Sequence, residues 1–138
     1  MVRLIPLIDD DLRNDLTVES APTNTYKWDY EAEKKRCIDY RDNLEAMKQA
    51  CYKIIYTERY RHLIYSWNYG IELEDLFGKP LTYVYPELKR RIKEALLADD
   101  RVSEVDSFKF SHKRGEVLAE FRVITDFGDF TMGRSVNI

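Results

Sequence analysis

The ten residues EVLAEFRVIT, at positions 116–125, carry apolar side chains at alternate positions: Val117, Ala119, Phe121 and Val123. Successive side chains of a β-strand point to opposite faces of a sheet, so these four share one face. An apolar face of this kind is stable only when it packs against another element. The stretch therefore predicts a strand that forms one side of a hydrophobic core.

The residues before this strand predict a hairpin partner for it. SHKRGE, at positions 111–116, includes a glycine and has the composition of a tight turn. Further upstream, Val105 has an odd number, whereas Phe108 and Phe110 have even numbers, so a regular strand would place them on opposite faces. An extra residue in a strand changes the parity in this way, so the pattern predicts either a β-bulge near Asp106–Ser107 or a strand that starts late.

The residues after the strand predict a second hairpin. TDFGD, at positions 125–129, has the composition of a turn, and a short strand through Phe130 and Met132 is expected beyond it. Together these segments predict a small antiparallel sheet near the C-terminus.

An amphipathic α-helix is predicted to begin near Asp42. Asp42 and Glu45 fit a capping box, in which each side chain accepts from a backbone N–H at the start of the helix. Apolar residues then recur at spacings of three and four, on one face of a helix that ends near Tyr56. These residues are Leu44, Met47, Cys51 and Ile54.

A second helix is predicted to start at Pro86, because proline is suited to the first helical position. Its apolar stripe consists of Leu88, Ile92, Ala95 and Leu96. Asp99 and Asp100 follow at its C-terminal end, where the helix macrodipole disfavours each acid by roughly a few tenths of a kcal/mol. Arg101 can offset that charge locally. The mismatch predicts a helix-to-strand corner whose charges have a role besides helix stability.

The N-terminal third predicts a hairpin preceded by an arm. TYKWDY, at positions 25–30, and RCIDY, at positions 36–40, predict two short strands around the charged turn at 31–35. Residues 1–25 carry five acids and two bases and are expected to form an extended, weakly ordered arm. The predicted fold class is α+β, with two main helices packed on a small antiparallel sheet. Residues 26–138 are expected to form one domain.

Length and charge exclude several classes of function. The 138 residues have the length of a single domain. Residues 26–138 carry twenty acids and twenty bases, which leaves no basic footprint for nucleic acid. No apolar run approaches the roughly 20 residues that span a bilayer, and the N-terminus lacks a signal-peptide pattern. A cytosolic protein without a membrane partner is expected, and Cys37 and Cys51 are expected to be two unbridged thiols outside any metal site.

No cofactor-binding or catalytic motif is present. The phosphate-binding, dinucleotide-binding, serine-hydrolase and zinc-protease patterns are all missing from the sequence. His62 and His112 are fifty residues apart, and His112 falls in a charged turn. DFG at 126–128 lacks the other kinase motifs and fits a hairpin turn. The sequence predicts a protein without enzymatic activity, cofactors or metal.

A glycoside hydrolase is an alternative to this prediction. Glu58 beside the aromatic residues, or Glu72 with Asp75, could imitate the carboxylate pair of such an enzyme. That chemistry needs one carboxyl with a raised pKa in an apolar cleft and a second at a fixed distance. Acids are common enough in this chain for such pairs to arise by chance.

The stretch TERYRHLIYSWNYG, at positions 57–70, contains three tyrosines, a tryptophan and a histidine. All ten tyrosines and both tryptophans lie between residues 26 and 85, whereas five of the six phenylalanines follow Val102. Tyrosine and tryptophan join an apolar body to a polar tip and, with arginine, are enriched in protein–protein interfaces. Half of these rings are expected to cover the protein's own helices, and the other half to form an assembly interface.

Several motifs in the chain resemble one known family. They are TY at 25–26, EAxxQ at 45–49, TERY at 57–60, IYSWNYG at 64–70 and LxGK at 76–79. In these motifs the chain is similar to the XkdS-like tail proteins of Gram-positive prophages. Those proteins are a branch of the baseplate wedge and sheath-initiator family of contractile phage tails. The similarity extends from about Thr25 to Ile124.

The resemblance implies a structural role. Proteins of this family sit in the baseplate around the tail tube and tie the wedge to the first ring of sheath subunits. The implied partners are the tail sheath protein, other baseplate wedge proteins and the tail tube or hub. The implied location is the baseplate of a virion tail or of a phage-tail-like particle, after synthesis in the cytoplasm of the bacterial host.

The resemblance also implies how the partners are held. The family's small sheet is similar to the interlocking domain of the sheath, which accepts strands from neighbouring subunits. The hairpin at 105–132 is the corresponding segment here, and the acidic arm at 1–25 is a candidate for a complementary extended segment. The broader family has Glu-Pro-Arg after its last helix, and the residues here keep an acid and the arginine but lack the proline.

Two groups of residues are therefore expected to contact partners. Toward wedge or tube neighbours they are Tyr60, Arg61, Tyr65, Trp67 and Tyr69, and the polar anchors are Asp99, Asp100 and Arg101. Two alternatives accompany this expectation. The fold also resembles small anti-adaptor proteins, which would make the chain a soluble binding module. Some wedge proteins carry a lysozyme-like name, which corresponds to the hydrolase alternative.

Overall fold

The structure is a computed structural model that describes residues 22–29 and 36–138. The strands are β1 (Thr25–Asp29), β2 (Arg36–Arg41), β3 (Val102–Lys113), β4 (Glu116–Thr125) and β5 (Gly128–Asn137). The helices are α1 (Asn43–Ile55) and α2 (Leu81–Leu97), with a 3-10 turn at Glu74–Leu76 between them. The predicted α+β fold class, with two helices and small antiparallel sheets, is confirmed.

β3, β4 and β5 form one antiparallel sheet with β4 in the middle. The alternating stretch at 116–125 is thus the central strand, and its four apolar residues on one face are fully buried. The turn between β3 and β4 consists of Arg114 and Gly115, with φ values of +50° and +78°. Positive φ at both central residues is what a two-residue type I′ hairpin turn requires.

The predicted bulge in β3 is confirmed. The register of β3 against β4 shifts between Asp106 and Lys109, and Ser107 has a φ of +55°. β5 is longer than the short strand expected from the sequence, and its register against β4 is continuous over ten residue pairs. Its second half, GRSVN, contains one apolar residue and so gives little strand signal.

α1 begins and ends where the sequence predicts. The Asp42 carboxylate accepts from the N–H of Asn43 at 2.8 Å, and Tyr56 is the C-cap. The Thr23 hydroxyl donates to Asp42, which ties the residues before β1 to the start of the helix. Asp42 is thus confirmed as the N-cap, but it does not accept from the Glu45 N–H, and Glu45 pairs with Lys48 at 3.0 Å, so the predicted capping box is not formed.

The predicted start of the second helix at Pro86 is wrong. α2 begins at Leu81 with Pro80 as its N-cap, and the N–H groups of Tyr83 and Val84 each donate to the Pro80 carbonyl at 3.0 Å. Pro86 lies inside the helix, where its missing N–H removes one hydrogen bond. Val84, in the additional turn, is fully buried. Packing of that turn against the core therefore offsets the lost hydrogen bond.

The hydrophobic core lies between the two helices and one face of the three-stranded sheet. Its fully buried members include Met47, Cys51, Ile55, Leu88, Ile92, Leu96, Val117, Ala119, Phe121 and Val123. Burial raises the pKa of the Cys51 thiol to about 12. Cys37 is an exposed free thiol on β2.

β1 and β2 form a separate antiparallel hairpin, as predicted. Gln49 of α1, which is 1% exposed, fixes its position. The Gln49 Nε2 donates to the Tyr26 carbonyl at 2.7 Å, and its Oε1 accepts from the Trp28 N–H at 2.9 Å. A buried amide whose two groups both bond to one strand orients that strand on the helix. The predicted turn at 31–35 and residues 1–21 of the predicted arm lie outside the described residues.

Candidate functional site

The aromatic stretch folds as a loop with a closed base, and residues 60–69 are here called the aromatic loop. At the base the Ile71 N–H donates to the Thr57 carbonyl at 3.0 Å, and the Arg59 N–H donates to the Ile71 carbonyl at 3.2 Å. The Arg59 guanidinium also donates to the Gly70 carbonyl at 3.1 Å. These bonds hold the two ends together, so the segment projects as an Ω-loop.

Glu58 completes the base of the aromatic loop. Its two carboxylate oxygens accept from the N–H of Leu73 at 3.0 and 3.3 Å, and one also accepts from the N–H of Glu74 at 3.5 Å. The carboxylate thereby satisfies backbone donors at the start of the 3-10 turn, which have no partner inside it. Glu58, a candidate for the hydrolase alternative, is thus engaged in holding the loop.

The aromatic loop exposes most of the residues predicted to contact partners. Tyr60 and Trp67 are 65% and 76% exposed, and Arg61 and Tyr65 also lie at the surface. Tyr69 differs from them, because it is half-buried and packs against the core. Four of the five loop residues are therefore available to a partner without any change in the fold.

Sequence reasoning missed Leu63 and Ile64, which are almost completely exposed. Their residue types favour burial. The signal that could have found them is the lack of helical or strand periodicity across the stretch, which leaves no interior face for them. With Tyr60 and Trp67 they make the tip of the loop apolar, and an exposed apolar patch is typical of a surface that another protein covers.

Ring stacking and tight turns give the aromatic loop a defined shape. The Tyr65 and Tyr69 rings stack with centroids 4.3 Å apart, and His62 meets Tyr65 edge-on at 6.1 Å. The Tyr65 N–H donates to the His62 carbonyl at 3.3 Å, and the Tyr69 N–H donates to the Ser66 carbonyl at 3.1 Å. A loop that is ordered before binding loses less conformational entropy when it docks.

The second predicted group, at the end of α2, is partly internal. Arg101 donates from Nε to Asp99 Oδ1 at 3.0 Å and from its second terminal nitrogen to Oδ2 at 2.8 Å. This hydrogen bonding lowers the pKa of Asp99. Asp100 is exposed. The acid that the macrodipole disfavours is therefore compensated within the chain.

The structure brings only some of the predicted contact residues together. Asp99 and Arg101 line a cleft between α1 and residues 22–25, and Tyr69 lines it too. The exposed side chains of the aromatic loop tip do not line this cleft. The polar anchors and the loop tip are thus two neighbouring surfaces joined through Tyr69.

Replacing Asp99 with asparagine is expected to lower the free energy of unfolding at pH 7 by about 1–3 kcal/mol, between the values of exposed and buried ion pairs. The pKa of Asp99 is depressed in the folded state. Its contribution is therefore present above the unfolded pKa of about 3.9 and is lost as the pH falls through the folded value. Urea unfolding should accordingly show a difference from wild type that shrinks below about pH 4.

Asp100→Asn is the matched control for that substitution, because Asp100 is exposed. It should change the free energy of unfolding by less than about 0.5 kcal/mol. Equal losses in the two variants would contradict a specific role for the Asp99–Arg101 pair. So would a loss in Asp99→Asn that persists unchanged at acid pH.

Within the described residues β5 pairs with β4 on one side and with no strand on the other. The Ile138 N–H donates to the Gly115 carbonyl at 2.8 Å, which makes these two residues a hydrogen-bonded pair. Hydrogen-bonded and non-bonded pairs alternate along an antiparallel ladder. The even-numbered residues of β5 therefore bond to β4, and the backbone groups of the others point to the free edge: Asp129, Thr131, Gly133, Ser135 and Asn137.

The two edges of the sheet differ in regularity. β3 has two breaks in its register, one of them the bulge at Ser107. Bulges twist an edge and interrupt its row of donors and acceptors, which hinders pairing with another strand. β5 has no break in its register. The regular edge that another chain could extend is therefore that of β5.

The aromatic loop and the β5 edge border one cleft of about 380 Å³. Arg61 and His62 line it from the loop, and Ser135 and Asn137 line it from the strand. A segment lying along β5 would therefore reach the base of the loop.

The carboxylates near the loop are arranged as ion-pair partners. Asp75, the candidate hydrolase partner of Glu72, is held by Arg91 at 2.9 Å, and this hydrogen bonding lowers its pKa. Hydrogen bonds from Arg90 and Arg91 lower the pKa of Glu87 to about 2. Every described carboxyl whose pKa departs from its usual value departs downward, opposite to the need of a general acid.

Residues 22–29 and 36–138 contain neither a metal-binding cluster nor a helix that could span a membrane. No three side chains of His, Cys, Asp or Glu are grouped there as metal ligands would be. Neither of the helices found there has the length and apolar character needed to cross a bilayer.

Comparison with known proteins gives two matches. A family profile described as contractile injection system sheath initiator matches residues 24–128, which include the aromatic loop, both helices, β3 and β4. The phage-like element PBSX protein XkdS of Bacillus subtilis (strain 168) is 38% identical over 120 residues. That alignment covers 83% of this chain and 84% of the relative.

Proposed function

Because the chain belongs to the contractile injection system sheath initiator family and is thus a structural component of a contractile tail, we propose that it sits in the baseplate and links the wedge and tube to the first sheath ring. The proposed partners are the tail sheath protein, other baseplate wedge proteins and the tail tube or hub. In this role the protein binds neither nucleic acid nor membrane and has no enzymatic activity.

The free edge of β5 is the observation that carries this proposal. Five residues along it direct their N–H and C=O groups away from β4, over a strand whose register is unbroken. An extended segment of another chain can complete such a row by strand addition. Each new backbone hydrogen bond contributes about 0.5–1.5 kcal/mol net, so the row supports a specific attachment. The sheath protein is the proposed donor of this strand.

The aromatic loop supplies the second proposed contact. Its tip presents Tyr60 and Trp67 with the apolar pair Leu63 and Ile64, all largely exposed. Large rings of this kind carry much of the binding free energy in protein interfaces. We assign the loop to the wedge or tube neighbours, with Tyr65 and Tyr69 shaping it and Arg61 at its margin.

The charges after α2 are proposed as polar anchors beside that contact. Asp99 and Arg101 are paired with each other, and Asp100 is exposed. The pair holds the corner in place, and Asp100 offers a carboxylate to a partner. The lowered pKa of Asp75, and the bonds of Glu58 to backbone N–H groups, support the non-enzymatic side of the proposal over the hydrolase alternative.

Thr131→Pro tests strand addition at β5. The Thr131 N–H points to the free edge, so proline removes an outward donor there while the β4–β5 bonds remain. With the variant expressed among the other tail genes, electron microscopy should show about tenfold fewer sheathed tails, as expected for a loss near 1.4 kcal/mol. Circular dichroism and thermal unfolding should show that the variant is folded.

His112→Pro is the matched control on the opposite edge. His112 lies opposite Val117 of β4, and this pair is a non-hydrogen-bonded one. The N–H of His112 therefore also points away from β4. Proline at this position should leave the number of sheathed tails unchanged. Normal assembly by a folded Thr131→Pro variant would rule out β5 as the accepting edge, and an equal defect in both variants would remove the distinction between the edges.

A further inference from the structure

Arg134 of β5 is a half-buried cation that has no carboxylate partner in the part of the chain that the structure describes. It is paired with the buried Ala119, so its side chain lies on the helix-facing side of the sheet. Its guanidinium stacks on the ring of Tyr56, with Cζ 4.1 Å from the ring centroid. Its Nε is enclosed and has no hydrogen-bond partner. Within the described residues no acceptor reaches the rest of the guanidinium either.

Most other half-buried arginines of the chain are placed differently. Four have a carboxylate within ion-pair distance: Arg59 with Glu94, Arg91 with Asp75, Arg101 with Asp99 and Arg122 with Asp106. Arg41, at the end of β2, is half-buried without a carboxylate among the described residues, and the Nε of Arg59 is buried without a partner despite its ion pair. A guanidinium has five N–H donors and stays charged. Shielding the Nε–H of Arg134 from water without an acceptor is unfavourable, and its terminal nitrogens have no protein acceptor among the described residues. The place of Arg134 at a free sheet edge therefore indicates a partner supplied from outside.

The other charges beside Arg134 are already engaged. Glu58 and Glu74 line the same cleft. Glu58 accepts from backbone N–H groups, and Glu74 pairs with Arg61 at 3.5 Å. His62 also lines the cleft and adds no negative charge. Within the described residues Arg134 therefore has no direct ion-pair partner where it faces the path of an added strand.

We propose that the sheath segment added along β5 carries an aspartate or glutamate that binds Arg134, so that Arg134 selects which segment the edge accepts. This inference rests on the proposed strand addition at β5. The backbone N–H and C=O of Arg134 bond to β4. Toward an added strand, Arg134 therefore occupies a non-hydrogen-bonded position. In an antiparallel addition, side chains at such positions come closest, with Cα atoms about 4.5 Å apart. A carboxylate there can form the two parallel bonds that arginine favours.

The same arrangement discourages incorrect partners. A segment with an apolar or basic residue opposite Arg134 would cover the guanidinium and leave it unpaired. Inward-pointing charges are also a recognised protection of edge strands against unspecific pairing. The Arg134 side chain thus disfavours the binding of most strands at this edge and favours a strand that carries an acid opposite it.

The test compares Arg134→Met, Arg134→Lys and Arg134→Glu in binding to the sheath protein encoded with the same tail. Methionine keeps an unbranched side chain over Tyr56 and removes the charge. We expect Arg134→Met to bind the sheath protein about tenfold more weakly, while its thermal stability is unchanged or higher. Lysine should retain most of the binding, and glutamate should lose more than methionine. A role limited to packing would instead lower stability and binding together.

Charge reversal completes the test. Arg134→Glu should regain binding when the opposing acid of the sheath segment is replaced by lysine. If Arg134→Met binds the sheath protein like wild type while Thr131→Pro does not, strand addition stands and acid recognition is wrong. If Thr131→Pro also binds normally, the proposed strand addition itself is wrong. Self-association of the protein without sheath, abolished by Arg134→Glu, would show that a second copy is the occupant and overturn the sheath assignment.

Discussion

Replacing Gly70 with alanine is expected to lower the free energy of unfolding by roughly 3–5 kcal/mol, a large part of the 5–15 kcal/mol typical of a domain. Gly70 has a φ of +90°, and a Cβ on it would lie 2.5 Å from the Thr57 carbonyl oxygen. That oxygen accepts the Ile71 N–H at the base of the aromatic loop. The backbone must therefore move, and the base hydrogen bonds weaken while the left-handed conformation adds about 1–2 kcal/mol of strain.

Gly78→Ala is the matched control, and urea unfolding of both variants provides the measurement. Gly78 has a φ of +78°, but nothing lies within 4 Å of an added Cβ. Gly78→Ala should therefore lower the free energy of unfolding only by the conformational strain, about 1–2 kcal/mol. If the two variants were equally stable, the closed base of the aromatic loop would contribute nothing that depends on Gly70.

The regular elements of the fold could be predicted from the sequence because local pattern and burial agree in them. Alternation at 116–125 identified the central strand. A change of parity indicated a bulge or a late strand start, and the structure has the bulge at Ser107. The start of α2 could not be predicted in this way. Proline at position 86 has a strong local preference for a helix start, and burial of Val84 by distant residues overrides it.

The aromatic loop shows where sequence reasoning ends. Composition identified the stretch as unusual. Its shape, however, depends on hydrogen bonds between residues 57–59 and 70–74, and these cannot be predicted from the spacing of apolar residues. The same holds for the division of its rings. Tyr69 packs against the core and Trp67 points to solvent, although the two are separated by one residue.

The free edge of β5 and the unpaired Arg134 were equally beyond the sequence. Which backbone groups face outward depends on the register with β4, and that register is set by the two-residue turn at Asp126–Phe127. The charge of Arg134 is visible in the sequence, but the absence of a carboxylate beside it among residues 22–29 and 36–138 is a property of the packing. Both features belong to the surfaces that the proposed function uses.

Replacing Tyr60 and Trp67 together with alanine is expected to reduce tail assembly by a hundredfold or more and to leave the fold intact. The two rings are 65% and 76% exposed, so each substitution should change the free energy of unfolding by less than about 0.5 kcal/mol. Buried in an interface, each ring would contribute about 2 kcal/mol, and two such losses correspond to roughly a thousandfold in affinity. The measurement is the number of sheathed tails by electron microscopy, beside urea unfolding of the purified variant.

Phe77→Ala separates this effect from a general loss of exposed aromatic surface. Phe77 is 71% exposed, close to the value for Trp67, but it lies outside the aromatic loop after the 3-10 turn. It should assemble like wild type. A double variant that is folded and assembles normally would remove the loop from the interface, because the rings assigned to the contact would then be dispensable for assembly. If the double variant instead unfolded, its rings would be stabilising the monomer, and the loop would belong to the fold rather than to a contact with neighbouring tail proteins.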